Sequence, residues 1–233
     1  MDCTLEHPYQ SGQFSVGDGG EPLRPGGSEL TVRALHCAGF GKGDLVLDLG
    51  CGEGAGTRQL RRHGCTPIGL DLAPARLLRA ARTEPGQAMV AAAARRLPIA
   101  EASLDGILAE CSLSLAGYTP EVLAECRRVL RPGGRLAITD VFARLEDCDR
   151  TPLPGCLAGL APRNEILAAL AASGFTVQRW EDHSDVLKSF LAQLIFSGRG
   201  SEALWTGDGS AYMAALRACR PGYFLLVAAK APD

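Results

Sequence analysis

Val46-Leu47-Asp48-Leu49-Gly50-Cys51-Gly52-Glu53-Gly54 is the stretch on which the fold turns. Its first half continues a short apolar run, residues 45–49, of the kind that forms a strand buried on both faces. Its second half places glycine at every other position. Such a turn reaches positive φ and lets backbone come close to a ligand. Residues 54–63 then read as a helix stopped by Gly64. Strand, glycine turn and helix open one unit of a parallel sheet, whose ligands sit in the crevice at the carboxyl ends of the strands. Asp71 follows a second strand at 67–70, placed to accept two ribose hydroxyl hydrogen bonds.

The same alternation continues in both directions. Upstream, Ser28 can cap a helix with Leu30, Ala34 and Leu35 on its apolar stripe and its end near Gly39. Downstream, a helix at 74–81 begins with proline. Strands are expected at 89–93, 104–109 and 135–139, with a helix at 121–130. A helix at 164–172, a strand at 175–180, a helix at 185–196 and a last strand at 223–228 complete the chain. The pattern predicts an α/β fold: a Rossmann-like, doubly wound, mostly parallel seven-stranded sheet with helices on both faces and the last strand antiparallel. Residues 1–27, rich in glycine and proline, read as an irregular arm that is either a frayed terminus or a lid; residues 28–233 read as one domain.

Taken alone, the glycine turn leaves two ligand classes open. From Gly50 it satisfies Gly-x-Gly-x-x-Ala, a dinucleotide fingerprint, so an NAD-dependent dehydrogenase is one candidate. Asp48 argues against it, because a carboxylate two residues before the first glycine repels a pyrophosphate and suits a cationic amino-acid ligand.

This Asp-x-Gly-x-Gly-x-Gly arrangement resembles motif I of the class I S-adenosylmethionine (SAM)-dependent methyltransferases, of the type 11 or quinone type. Gly69-Leu70-Asp71, Arg96-Leu97-Pro98 with Ser103-Leu104-Asp105, and Arg128-Val129-Leu130-Arg131-Pro132-Gly133-Gly134 are similar to that family's later segments, in the same order. The resemblance implies that Asp48, Gly50, Cys51, Gly52 and Gly54 surround the amino-acid part of SAM. It implies that Asp71 holds the ribose and that Leu72 packs on adenine. Ala93-Ala94 stands where the family usually carries an acidic residue facing the adenine amine. The methyl acceptor is expected to be a small molecule, and in-line transfer asks mainly for positioning.

Glu110, Cys111 and Asp140, at the ends of the fourth and fifth strands, are the acceptor-side candidates. Both carboxylates read as hydrogen-bonded loop groups, with a role as bases as the alternative. Cys156 and Cys219 are placed like two arsenic-binding cysteines of the arsenite methyltransferases, with Cys37 or Cys111 as a further candidate, and soft thiolates suit a thiophilic acceptor. The alternative is that these cysteines are packing residues. His183, in Trp180-Glu181-Asp182-His183-Ser184, reads as an exposed loop residue or a proton acceptor. A non-catalytic SAM-binding module also remains open.

The 233 residues are 46% hydrophobic and 21% charged, enough for a sizeable core. A net charge of −2 gives no field that would draw in nucleic acid or anionic membrane, and Arg58, Arg61, Arg62, Arg95 and Arg96 read as solvated. No apolar run has the length of a membrane span. The polar start lacks the layout of a signal peptide, so nine cysteines are expected as reduced thiols in a cytoplasmic protein, monomer or homodimer.

Overall fold

The computed structural model describes residues 24–146, 157, 159–196 and 217–232. The elements are α1 (Gly27–Ala38), β1 (Leu45–Leu49), α2 (Ala55–Arg62), β2 (Thr66–Asp71), α3 (Pro74–Thr83), β3 (Ala88–Ala91), β4 (Leu104–Glu110), α4 (Leu113–Ala116), α5 (Pro120–Val129), β5 (Leu130–Ala143), α6 (Arg163–Ala172), β6 (Phe175–Asp182), α7 (Ser184–Phe196) and β7 (Pro221–Lys230). The sheet order is β3-β2-β1-β4-β5-β7-β6, with β7 antiparallel to both neighbours and the other pairs parallel. The doubly wound sheet with an antiparallel last strand is therefore present. Insertion of β7 between β5 and β6 separates it from the 3-2-1-4-5-6 order of dinucleotide-binding sheets.

Side chains on successive strand residues point to opposite faces, and each face is covered. One core joins Ile107, Leu136, Ile138, Phe224 and Leu226 to Leu123 and Cys126 of α5 and to Ile166 and Leu170 of α6. The other joins Leu108, Ala137, Val141, Tyr223 and Leu225 to Leu30, Ala34 and Leu35 of α1, Leu60 of α2 and Leu187 of α7. The core therefore lies in two layers around β1, β4, β5 and β7. Their carboxyl edge is completed by the first residues of β7, which runs the opposite way.

Four elements differ from the sequence-based expectation. The cap of α1 is Gly26 at φ 77°, not Ser28, which lies inside the first turn. A Cβ at Gly26 would stand 2.6 Å from that of Leu30, so glycine is required there and the helix begins early. The four-residue α4 was not foreseen, being too short to carry a periodic pattern. β5 continues past Thr139 to Ala143, so Asp140 is inside the strand rather than at its end, because pairing with β7 persists to Ala143↔Pro221. β3 closes at Ala91, leaving Ala93 and Ala94 in the loop beyond it. Most of the expected arm, residues 1–23 of 1–27, lies outside the described residues.

Candidate functional site

The glycine turn is built by backbone. Gly50 and Cys51 both donate to the Leu70 carbonyl, at 2.7 and 2.9 Å, which locks the turn onto the end of β2. Gly50, Gly52 and Gly54 have φ of 78°, 54° and 82°, where side chains are strained. A Cβ at Gly50 would lie 2.5 Å from the Ser112 Cβ, and one at Gly52 would lie 2.6 Å from an Arg76 guanidinium nitrogen. Asp71 supports the turn from the opposite side: its Oδ2 accepts from Gly52 N at 2.8 Å and its Oδ1 from Ala73 N at 2.9 Å. Each oxygen keeps a further lone pair. Leu72, next in sequence, is 66% exposed, an apolar side chain left without cover.

Asp48 is buried beneath the turn and accepts from the Thr57 hydroxyl at 2.6 Å. Burial pushes its carboxyl up to about 7, against the opposing Thr57 hydrogen bond. Cys51 is buried beside it, and burial raises its thiol well above the ordinary value. This cysteine is a packing residue of the turn.

The second half of the site lies across the ends of β4, β5 and β7. Glu110 is not presented as a lone base: its Oε1 accepts from the Thr31 hydroxyl at 2.8 Å and its Oε2 lies 3.6 Å from Arg24 Nη2. Cys111, at φ 49°, places Sγ 2.9 Å from the Tyr223 hydroxyl, which also bonds to Thr139. Burial, followed by the charges of Cys111 and Asp140, raises the Tyr223 phenol well above its ordinary value, so it stays protonated. Asp140 is fully buried, accepting from Ser114 N and Val141 N at 2.8 Å each. It thereby caps the start of α4, and burial lifts it to about 6.

Of the cysteine candidates, Cys219 is 3% exposed and its carbonyl accepts from Arg144 N, just before β7. Cys37 packs on the second core from α1, and Cys156 lies outside the described residues. Ala94 packs on the first core and Ala93 is half-buried. His183 is not an exposed loop residue: its Nε2 lies 3.0 Å from Glu181 Oε2, and Glu181 also receives Arg33 and Arg179. That network ties α1 to β6, away from the turn. No metal-binding group of three or more His, Cys, Asp or Glu occurs among the described residues. No described helix is long and apolar enough to cross a membrane.

Sequence reasoning sees Arg24 only as part of a 23–27 turn that could fold over a pocket, and it misses Thr31 and Tyr223. The one available signal was that Arg24 is the only Lys or Arg in the first 32 residues.

Residues 47–138 match the family described as a methyltransferase domain. An arsenite methyltransferase of Halobacterium salinarum is 31% identical over 152 residues, 59% of this chain and 39% of that protein. A dimethylglycine N-methyltransferase of Parasynechococcus marenigrum is 30% identical over 177 residues, 69% of this chain and 62% of that protein. The chain spans less than two thirds of the length of either relative. Among solved structures, the [4+2]-cyclase SpnF superposes with TM-score 0.73 at 25% identity, covering 88% of this chain and 81% of that one. Phosphoethanolamine N-methyltransferase 2 of Haemonchus contortus, solved with SAM, gives 0.72 at 18% identity, covering 96% and 57%. A cyclase among them shows that this fold alone does not name a reaction. The matched region spans the glycine turn, Asp71 and the β4–β5 edge, so residues 47–138 of this chain are similar to a methyltransferase domain, on a fold shared with a methyltransferase solved with SAM.

Proposed function

We propose that the protein transfers a methyl group from SAM to a small-molecule acceptor. The observation that carries this reading is the turn itself: three glycines at positive φ, pinned to β2 by Leu70 and Asp71 and underlain by a buried carboxylate. When bound, SAM supplies an electrophilic methyl group on a sulfonium. Gly50 and Gly52 leave the room that any side chain would fill. Asp71 has lone pairs to accept ribose hydroxyls, Leu72 offers an apolar face for adenine, and Ala93 and Ala94 leave adenine to packing and backbone. Cys111 and Tyr223 face the place where the acceptor meets the methyl group, and Glu110 and Asp140 shape that wall rather than take a proton from it.

Calorimetry of the reduced protein with SAM and with S-adenosylhomocysteine tests the reading. Micromolar binding is expected, weakened about thirtyfold in Asp71→Ala by loss of hydrogen bonds to a charged acceptor. Binding of NAD in place of either compound would refute it.

A thiophilic acceptor is the second reading, favoured by the arsenite methyltransferase relative. It requires that SAM-loaded protein bind As(III) and that Cys156→Ser and Cys219→Ser each abolish this. As(III) ignored by the wild type leaves an organic acceptor.

A further inference from the structure

Ser112, Ser114 and Tyr118 carry hydroxyl groups that are buried and have no hydrogen-bond partner among the described residues. All three lie between β4 and α5, on α4 or beside it. Ser112 is the cap residue of α4, where a serine hydroxyl ordinarily accepts from the first turn. Asp140 reaches across from β5 and takes the Ser114 N–H instead, at 2.8 Å, so the Ser112 hydroxyl makes no cap bond. The other Asp140 oxygen accepts from Val141 N, which commits this carboxylate to backbone. Ser114 Oγ and the Tyr118 hydroxyl face it, yet neither forms a hydrogen bond of normal geometry with it. Ser112 also borders the glycine turn, its Cβ 2.5 Å from where a Cβ on Gly50 would stand. At the other end, burial and then the charges of Asp140 and Cys111 raise the Tyr118 phenol well above its ordinary value, so it keeps its proton. The Tyr223 phenol senses the same two groups from β7. The three hydroxyls therefore extend the Cys111–Tyr223 wall from the turn toward α5.

A buried O–H without an acceptor is costly, because the bond it gave up to water is not returned. Three such groups in one short segment are matched to lone pairs on a molecule that arrives from outside. The neighbouring charge says of what kind. An anion has lone pairs but meets the Asp140 carboxylate in a buried place, where repulsion is poorly screened. An ammonium group suits Asp140 but brings only further N–H donors, and leaves the three O–H groups without lone pairs. A carbonyl or hydroxyl oxygen offers lone pairs without charge.

We propose that Ser114 and Tyr118, with Ser112 on the side of the turn, hold a carbonyl or hydroxyl oxygen of the methyl acceptor, and that this acceptor is a neutral oxygen compound rather than an amine or an acid. This rests on the SAM-dependent reading above and gives it a substrate class. Asp140 is then a positioning residue: by capping α4 from β5 it leaves the serine hydroxyls to the acceptor.

Phenol, benzylamine and benzoate put one ring beside a neutral, a cationic and an anionic group near neutral pH, and serve as probes. Each is titrated by ligand-observed NMR into protein saturated with S-adenosylhomocysteine. Phenol is expected to bind at least about fivefold more tightly than either charged compound. The double substitution Ser114→Ala with Tyr118→Phe is expected to weaken phenol about tenfold and to leave S-adenosylhomocysteine within about twofold. Its melting temperature should be unchanged or higher, because the hydroxyls removed hold no bond in the fold. A lowered melting temperature with unchanged phenol affinity would make both residues structural and overturn the proposal. Tighter binding of benzylamine or benzoate, or no binding of phenol, would overturn it as well. Should the double variant fail to fold, the order of the three probes on the wild type still decides. Failure of the wild type to bind S-adenosylhomocysteine at all would sink the methyltransferase reading itself, whereas binding it without preferring phenol sinks this inference alone.

Discussion

The β1–β2 half of the site and the β4–β5–β7 half are held by different kinds of bond. The first half is backbone meeting backbone: Gly50 and Cys51 on Leu70, with one carboxylate, Asp71, on Gly52. The second is side chain meeting side chain: Cys111 on Tyr223, Thr31 on Glu110, Arg24 between Thr31 and Glu110. A backbone cradle needs glycine at set positions and tolerates change elsewhere. A side-chain wall changes shape with each substitution, so it is the half that can be adapted to different acceptors. On the proposed function the backbone cradle serves cofactor recognition and the Cys111–Tyr223 part of the wall serves acceptor choice, so that each can be disturbed without the other.

The largest disturbance falls on the cradle. Gly50→Ala puts a Cβ at φ 78° and 2.5 Å from the Ser112 Cβ. Left-handed strain for a non-glycine residue costs about 1–3 kcal/mol, and the collision adds to it. Affinity for S-adenosylhomocysteine is expected to fall at least about a hundredfold, with a melting temperature several degrees lower. Retained affinity within about threefold would show that the backbone of the turn does not approach the cofactor, and the division between the halves would fail.

That contrast also explains what could be read from the sequence. β1 was placed to the residue, because an apolar run ending at glycine is a local signal. Asp71 was found because its spacing from the turn follows from one strand–helix–strand unit. The Cys111–Tyr223 contact joins residues 112 apart, and no spacing rule links them. Tyr223 read simply as part of an apolar strand, which it also is. Asp140 was legible as a carboxylate near the site, yet its work as the cap of α4 depends on a helix too short to detect. Arg24 stood in a glycine- and proline-rich segment that composition marks as irregular, and its burial is decided by α1 and β4.

A smaller effect links the halves through Asp48. Burial raises its folded carboxyl from the ordinary 3.8 to about 7, with Thr57, Arg24, Glu110 and Cys51 as its charged or polar neighbours. A folded carboxyl that holds its proton more tightly than the unfolded one weakens the fold as pH rises. The stability is full below about 4 and is lost as pH passes through about 7. An ammonium group brought near the acids favours the ionised form and reverses this. Affinity for SAM is therefore expected to increase with pH up to about 7, by at most about tenfold per pH unit, and to level off above. Binding near pH 6 should release a proton, detectable as a dependence of the calorimetric enthalpy on the buffer. Asp48→Asn should remove both effects, and a pH dependence that survives it would mean that the ammonium group does not sense Asp48.

The smallest expected effect is the sharpest check on the comparison. Tyr223→Phe removes a fully buried hydroxyl from Cys111 at 2.9 Å and from the Thr139 carbonyl at 3.3 Å. The ring stays in the second core, so only hydrogen bonds are lost, about 1 kcal/mol and a melting temperature about 2–4 °C lower. S-adenosylhomocysteine affinity should stay within about twofold, since none of the groups that pin the glycine turn touches this hydroxyl. If the substitution weakened the cofactor as much as Gly50→Ala, the side-chain wall would be part of the cradle. The acceptor would then have to be sought elsewhere along the edge. An unchanged affinity with a lowered melting temperature keeps Tyr223 and Cys111 on the acceptor side, where changes of size at these two positions would retune what the protein methylates and leave what it binds as donor alone.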